Sequence, residues 1–482
     1  MQTGSPPRPA PVAGHRVVVT LGVAVAVALG AAIVLVLRRP APETRPNLLL
    51  ITVDTLRADH VSAYGYHVAT TPVLEAVAAQ GALFEVAYAP MATTGPSHAT
   101  MFTSLYPARH GVLTNGVAFS CPEPALSEVL AGRGYDTAAF VSSFVLSRRF
   151  AWNRGFARFD DAFTRRDASV VTDTWEGVPV EGGALDQRAN RATDKAVAWL
   201  AGRAPGGRPF FLWVHYFDPH TPYDPPASDL AAIPGNDRDP LHAAIRRYDG
   251  EIHFADREVG RLLDFLATRP EGKNLLVVIA GDHGEGLMDH GHVHHGLSLY
   301  EEDTRVPLIV RFPHRVKPGV RIGDTVELLD VAPTILDLLD VGTGALPAEG
   351  RSLTPLLTGR PGWTGRDVFL QRRTFPPGAN DNWFAPPWLP RPAGHPIVGG
   401  MFALRSGHWK YIEAPQAGTR ELYDLAADPT ERRNLAAVRP DVADALHKTI
   451  TRWLAAVQRG STPSAPLTDE ERARLRSLGY IG

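Results

Sequence analysis

Short apolar runs alternate along this chain with stretches of helical period. Residues 47–53 (NLLLITV), 209–217 (PFFLWVHYF) and 274–280 (NLLVVIA) lack the in-out alternation of a half-exposed strand. Near-continuous apolar runs of that length read as strands buried on both faces of a parallel sheet. Residues 135–141 and 305–312 are also strand-like. Between these runs, 71–80 (with Pro72 at the first helical position), 125–133, 186–202, 241–268 and 327–339 carry helical patterns. The repeated β-α-β order predicts an α/β fold, a mostly parallel sheet covered by helices. Residues 160–181 are polar and aperiodic, a surface loop. Beyond Gly350 the pattern changes. A proline-rich stretch, 374–396, carries Trp383, Phe384 and Trp388 and is a candidate substrate rim, with a disordered surface insertion as the alternative. Short strand-like runs at 401–405, 409–413 and 421–425 predict a smaller β-rich C-terminal subdomain. A helix over 441–457 and a charged surface helix over 468–478 follow. The expected division is 1–45, an N-terminal segment; 46–360, the main domain; 361–440, the C-terminal subdomain; and 441–482, a helical tail.

One run is of a different kind. Residues 17–37 (VVVTLGVAVAVALGAAIVLVL) are 21 uncharged positions, which as a helix would span about 31 Å, enough for a bilayer core. No small-residue cleavage site precedes Arg38-Arg39, so an uncleaved membrane anchor is expected over a cleaved signal peptide. Arginines flank both ends (Arg8 and Arg16; Arg38, Arg39 and Arg45), so the positive-inside rule sets no orientation. Residues 40–46 then read as a stiff linker. With a formal net charge of −2 over 482 residues and no basic block, nothing points to a nucleic-acid partner. The lone cysteine, Cys121, allows no internal disulfide.

Candidate chemistry collects where the buried runs end. Asp54 follows the first strand and Asp282-His283 the third, at the carboxyl edge where open α/β sheets bind ligands. Capping of the next helix is the alternative for Asp54. Thr94-Gly95-Pro96-Ser97-His98 forms a turn from which a helix is expected to start, with Ser97 as N-cap. Asp54, Thr94, Asp282 and His283 together offer two carboxylates, a hydroxyl and an imidazole. That set suits zinc, while an oxygen-richer shell would suit calcium, magnesium or manganese. Such an ion would make the Thr94 hydroxyl a usable nucleophile near neutral pH and offset charge on an anionic substrate. Five of the chain's 18 histidines lie within 283–295 (His283, His290, His292, His294, His295). Two or three of them are expected to do nothing chemical, while one positioned imidazolium, or His220 at the end of the second strand, could protonate a leaving group or hold an anionic oxygen. His98 and Arg57 are candidate anion binders or structural hydrogen-bond formers.

Six ordered motifs carry a resemblance: NLLLITVDTLRADH, TGPSHATMFTSLYPARHGV, HYFDPHTPY, GDHGEGLMDHG, LYEEDTRVPLIV and KYIEAPQAGTRELYDLAADPTERRNL. Over residues 46–435 the chain resembles the sulfatase family of the alkaline phosphatase superfamily. The resemblance implies an alkaline-phosphatase-like α/β catalytic domain with a four-stranded C-terminal subdomain. It implies hydrolysis of sulfate or phosphate esters with one or two divalent metal ions held by Asp54, Asp282 and His283, and Thr94 at the nucleophile position. His220 and His295 fall near the substrate-anion and leaving-group positions, Asn115 matches a residue that contacts a non-bridging oxygen, and the catalytic domain is expected to be extracytoplasmic. The chain also departs from the family. Sulfatases carry Cys or Ser in a C/S-x-P-S-R motif that matures to formylglycine; Thr94 cannot, because its β-carbon already bears a methyl group. His98 stands for the usual arginine, and Thr55 for a second metal-binding aspartate. The threonine variant resembles the phosphodiesterase and phosphoethanolamine-transferase branches. A transferase and a non-catalytic, anion-binding protein are therefore the alternatives to a hydrolase.

Overall fold

A computed structural model describes residues 1, 4–7, 45–172, 174–175, 178–180, 183–375 and 398–460. The chain divides into two compact units, Met1–Arg45 and Pro46–Gly482; the account below concerns the second. The apolar run at 17–37, the loop residues 376–396 with Trp383, Phe384 and Trp388, and the segment 468–478 lie outside the described residues. Among the described residues, no helix is long and apolar enough to cross a membrane.

In chain order the main elements are β1 (Asn47–Val53), α1 (Pro72–Ala79), β2 (Ala82–Tyr88), α2 (Thr94–Thr103), α3 (Leu126–Gly132), β3 (Asp136–Phe140) and β4 (Arg158–Asp160). Then come α4 (Ala189–Ala201), β5 (Phe210–Tyr216), α5 (Pro240–Ala267), β6 (Leu275–Gly281), β7 (Arg305–Arg311), β8 (Val320–Glu327) and α6 (Val331–Leu338). The last five are β9 (Val368–Phe375), β10 (Gly399–Ser406), β11 (Trp409–Ala414), β12 (Thr419–Asp424) and α7 (Pro440–Gly460). Eight strands form one sheet in the order β8-β2-β7-β6-β1-β5-β3-β4. Within it β7 runs against β6 and β2, and the other pairs are parallel. The expected mostly parallel sheet is present.

The alternation of side chains along each strand builds two cores. Leu48 and Leu50 of β1 pack with Phe211 and Trp213 of β5 on one face, under Phe102 of α2, Leu130 of α3 and Ile335 of α6. Leu49, Ile51 and Val53 pack on the other, with Leu74 of α1, Ala192 of α4 and Ile252 of α5. Both faces being apolar explains why β1, β5 and β6 read as unbroken runs.

The remaining strands, β9-β10-β11-β12, form a separate antiparallel sheet. One face packs Leu404, Tyr411 and Leu422 beneath Ala443, Leu446 and Ile450 of α7. The other meets Tyr88, Leu299 and Tyr300 from the large sheet's side. Lys410 is fully buried at this seam, 2.9 Å from Glu301 and 3.0 Å from Glu431.

Four strands escape the sequence pattern, one of them the three-residue β4. β2 (ALFEVAY) and β8 (VRIGDTVE) lie at one edge of the large sheet, where Glu85 and Arg321 face outward and pair at 2.8 Å. Their charges break the apolar run without breaking the strand. β9 (VFLQRRTF) is an edge strand of the small sheet, with two arginines that mask its period. A further correction concerns the Thr94 turn. The helix starts at Thr94, its N-cap is Thr93, and all ten residues of α2 are buried. Pro96 sits in the first turn, where a missing N–H leaves no helical bond unmade. Ser97 is therefore not a cap: its hydroxyl donates to the Asp282 carbonyl at 2.6 Å.

Candidate active site

The carboxyl ends of β1, β5 and β6 deliver Asp54, the segment through His220, and Asp282-His283 to one place, and the first turn of α2 brings Thr94 against them. Asp282 is oriented by the backbone: its Oδ1 accepts from the N–H groups of Thr55 (3.1 Å) and His283 (2.8 Å). Its Oδ2 is left facing His283 Nε2 at 3.6 Å. Asp54 Oδ1 lies 3.6 Å from the same nitrogen. His283 Nδ1–H donates to the Gly284 carbonyl at 3.0 Å, so the Nε2 lone pair points at the carboxylates. Thr94 Oγ completes the group, 3.3 Å from His283 Nε2. Thr55 holds a left-handed backbone, φ 53°, a costly conformation for a β-branched residue. It places the Thr55 N–H on Asp282 directly after Asp54.

This arrangement fits a divalent cation. Both oxygens of Asp54 and Oδ2 of Asp282 are buried with no hydrogen-bond partner among the described residues. Burial, and then the charges of Asp282 and Glu285, push the Asp54 carboxyl well above its ordinary range. Buried carboxylates placed side by side need a counter-charge. Asp54, Asp282 and His283 offer ligand atoms within 4.8 Å of one another, and the second-layer bonds to Asp282 and His283 are of the kind that orient metal ligands.

The other expected residues divide. Asn115 is beside the nucleophile position: its Oδ1 accepts from the Gly95 N–H at 2.8 Å, leaving its amide N–H groups to offer. His220 and His295 meet edge to face with ring centroids 5.1 Å apart, and His295 lies 4.4 Å from His283. His220 Nδ1–H donates to the Thr221 carbonyl at 2.7 Å. Burial, then the neighbouring His295, pulls His220 down to about 3. His295 Nδ1 contacts Glu285 Oε1 at 3.2 Å, and burial likewise drives its pKa far down. Arg57 is close by but its guanidinium is committed to Asp59 (2.7 Å), Asp289 (2.6 Å) and the Glu285 carbonyl (3.1 Å). His98 is fully buried behind Thr94, with Nδ1 2.8 Å from the Thr94 carbonyl and Nε2 3.0 Å from Thr52 Oγ. Two of the clustered histidines are structural: His290 pairs with Glu302 at 2.6 Å and His292 with Asp303 at 3.3 Å.

Three residues were not anticipated. Glu285 is buried and holds both His295 and the Tyr223 hydroxyl (3.1 Å). Tyr248 donates to the Thr55 carbonyl at 2.6 Å and receives the Arg57 N–H at 3.1 Å. His215 is fully buried in β5, with neither ring nitrogen hydrogen-bonded among the described residues. An imidazole inside PFFLWVHYF was the available signal: a strand core tolerates one only with a partner.

The fold and the strand-end site, with its carboxylates, imidazole and hydroxyl, define a hydrolase of sulfuric esters once the relatives are set beside them. The family model for Sulfatase matches residues 46–341, and the chain belongs to the sulfatase family. It is 26% identical over 450 residues to the Delta 4,5-hexuronate-2-O-sulfatase of Bacteroides thetaiotaomicron, covering 82% of this chain and 85% of that one. It is 25% identical over 448 residues to the choline-sulfatase of Rhizobium meliloti, covering 81% and 82%. A solved structure of a protein in complex with its substrate D-glucosamine-2-N,6-O-disulfate superposes with a TM-score of 0.70 at 21% identity, covering 86% and 99%. The phosphonate monoester hydrolase of Agrobacterium radiobacter superposes with 0.65 at 22% identity, covering 89% and 99%. These structural likenesses concern the fold.

Proposed function

We propose that the chain is a metal-dependent hydrolase of anionic sulfate or phosphate esters in which Thr94 is the nucleophile. The observation that carries this is the Thr94 hydroxyl held beside the unpaired oxygens of Asp54 and Asp282 and the Nε2 of His283. A divalent ion held by Asp54, Asp282, His283 and Thr94 would lower the hydroxyl pKa and offset the substrate's charge.

The chain's own residues do the rest. The first turn of α2 fixes Thr94, and Asn115, tied through its carbonyl to Gly95, presents N–H donors toward a substrate oxygen. Thr94 Oγ attacks sulfur or phosphorus as the ester bond to the leaving oxygen breaks. His220 and His295 each spend Nδ1 on an acceptor, so Nε2 is where either imidazolium would give its proton to that leaving oxygen. Both rings are half-buried and resist charge; an arriving anion favours the protonated form. Water then hydrolyses the Thr94 ester. The threonine supports phosphoryl transfer as a second reading, since it cannot form the aldehyde hydrate of mature sulfatases.

Wild type and Thr94→Ala should be compared on an aryl sulfate, a phosphate monoester and a phosphodiester, each with Zn, Mn, Mg or Ca. Turnover should fall at least ~1,000-fold in the variant, the scale of losing a covalent nucleophile; undiminished turnover removes Thr94 from the mechanism. The 17–37 run supports a membrane anchor carrying an extracytoplasmic domain, checked by carbonate extraction and by protease access in intact cells.

A further inference from the structure

We propose a second divalent-cation position on the inner side of the Thr94 site, held by His98, His215 and Asp282 with Asp54 at its edge. The inference rests on the metal-dependent reading above and adds His98 and His215 to its ligands. Two triads are present and share Asp282: Asp54, Asp282 and His283 on one side, and His98, His215 and Asp282 on the other. In each the ligand atoms lie within 4.8 Å of one another. The carboxylates face both ways. Asp54 presents Oδ1 to His283 Nε2 and Oδ2 to His215 Nε2, each at 3.6 Å. Asp282 Oδ2 is 3.6 Å from His283 Nε2 and 3.6 Å from His98 Nδ1.

The independent sign of a ligand is His215. It is fully buried in the central sheet, and neither ring nitrogen has a hydrogen-bond partner among the described residues. An imidazole with both nitrogens unmet in a core is a net loss unless something binds it. Its Nε2 is aimed at the unpaired Asp54 Oδ2. His98 has the matching support. If Nε2–H donates to Thr52 Oγ (3.0 Å), which also accepts from Trp213 Nε1 (3.0 Å), Nδ1 carries the lone pair. That is the second-layer bond typical of ligating histidines. Nδ1 faces the Thr94 carbonyl oxygen at 2.8 Å, the atom to which Nδ1–H donates in the other tautomer, so ligation through Nδ1 gives up that hydrogen bond. Two imidazoles and a carboxylate select a borderline ion such as Zn²⁺ or Co²⁺ over Ca²⁺, Mg²⁺ or Mn²⁺.

The test counts metal. The full chain is stripped with chelator, titrated with ZnCl₂ and measured by mass spectrometry for zinc per chain. Wild type should hold two ions, and His215→Gln and His283→Gln one each, each variant checked for folding by circular dichroism. One ion in wild type, or two in a folded His215→Gln chain, overturns this inference and leaves the proposed function standing; no bound ion overturns both. Should His215→Gln fail to fold, wild type loaded with CoCl₂ decides. An exchange-coupled Co²⁺ pair by electron paramagnetic resonance supports the second position, and an isolated Co²⁺ signal rejects it.

Discussion

Glu285 holds the His295 Nδ1–H and the Tyr223 hydroxyl from full burial. It is a positioning residue. Glu285→Gln keeps the size and can still accept one of these bonds, but removes the charge that favours a His295 imidazolium. The expected outcome is a folded enzyme with kcat down roughly 10–100-fold and KM little changed, in the range of orienting groups around a catalytic base or acid. Steady-state kinetics check it, and unchanged kcat would remove Glu285 from the proton path. Its neighbour Gly284 has no such latitude: a Cβ there would lie 1.8 Å from the Glu302 carbonyl oxygen. Glu285 is not legible beside Asp282-His283 because it looks like any exposed glutamate until β6 and residues 299–311 fold against it.

The two sheets meet through a charged seam whose centre is Lys410 of β11. Its ammonium reaches Glu301 and Glu431, while the Tyr88 hydroxyl from β2 donates to Glu301 at 2.7 Å. Removing one member of a buried ionic group leaves the partners uncompensated, which costs about 3–5 kcal/mol. Lys410→Met should therefore lower unfolding stability by that order in urea titrations; a loss below ~1 kcal/mol would show the seam to be solvated. This element-level contact explains why the C-terminal sheet was visible as strands but not as a partner of the large sheet. KYIEA reads as an ordinary half-exposed strand, and nothing local marks its lysine as buried.

For the whole molecule, the proposed ion between the carboxylates at the strand ends predicts a metal-dependent stability. Bound metal should raise the melting temperature and excess chelator lower it, by an amount that grows with metal concentration as RT ln(1 + [L]/Kd). A calorimetric Tm indifferent to both would argue against a metal between Asp54 and Asp282. A second global dependence is on pH. Burial disfavours a charged His292, but the adjacent Asp303 carboxylate overrides it and raises the imidazole to about 9. A base whose folded pKa exceeds its unfolded value of about 6.5 adds stability that is complete below about pH 6.5 and is lost as pH rises through 9. Urea midpoints at pH 6, 7.5 and 9 should fall more steeply for wild type than for His292→Asn; parallel slopes would contradict the pairing.

The chain's local pattern determined the parallel sheet, the strand ends carrying Asp54 and Asp282-His283, and the identity of Thr94 as the odd residue in its motif. Those features are legible because burial on both faces of a central strand leaves an unbroken apolar run, and because ligand-bearing turns follow such runs directly. Tertiary structure alone decided the remainder. It started the helix at Thr94 rather than Ser97, by packing every residue of α2 and giving the Ser97 hydroxyl to the Asp282 carbonyl. It also turned His98 inward and set it beside His215, 117 positions away in sequence. Spacing along a chain carries no record of that proximity; only the pairing of β1 with β5 and the seating of α2 upon them creates it.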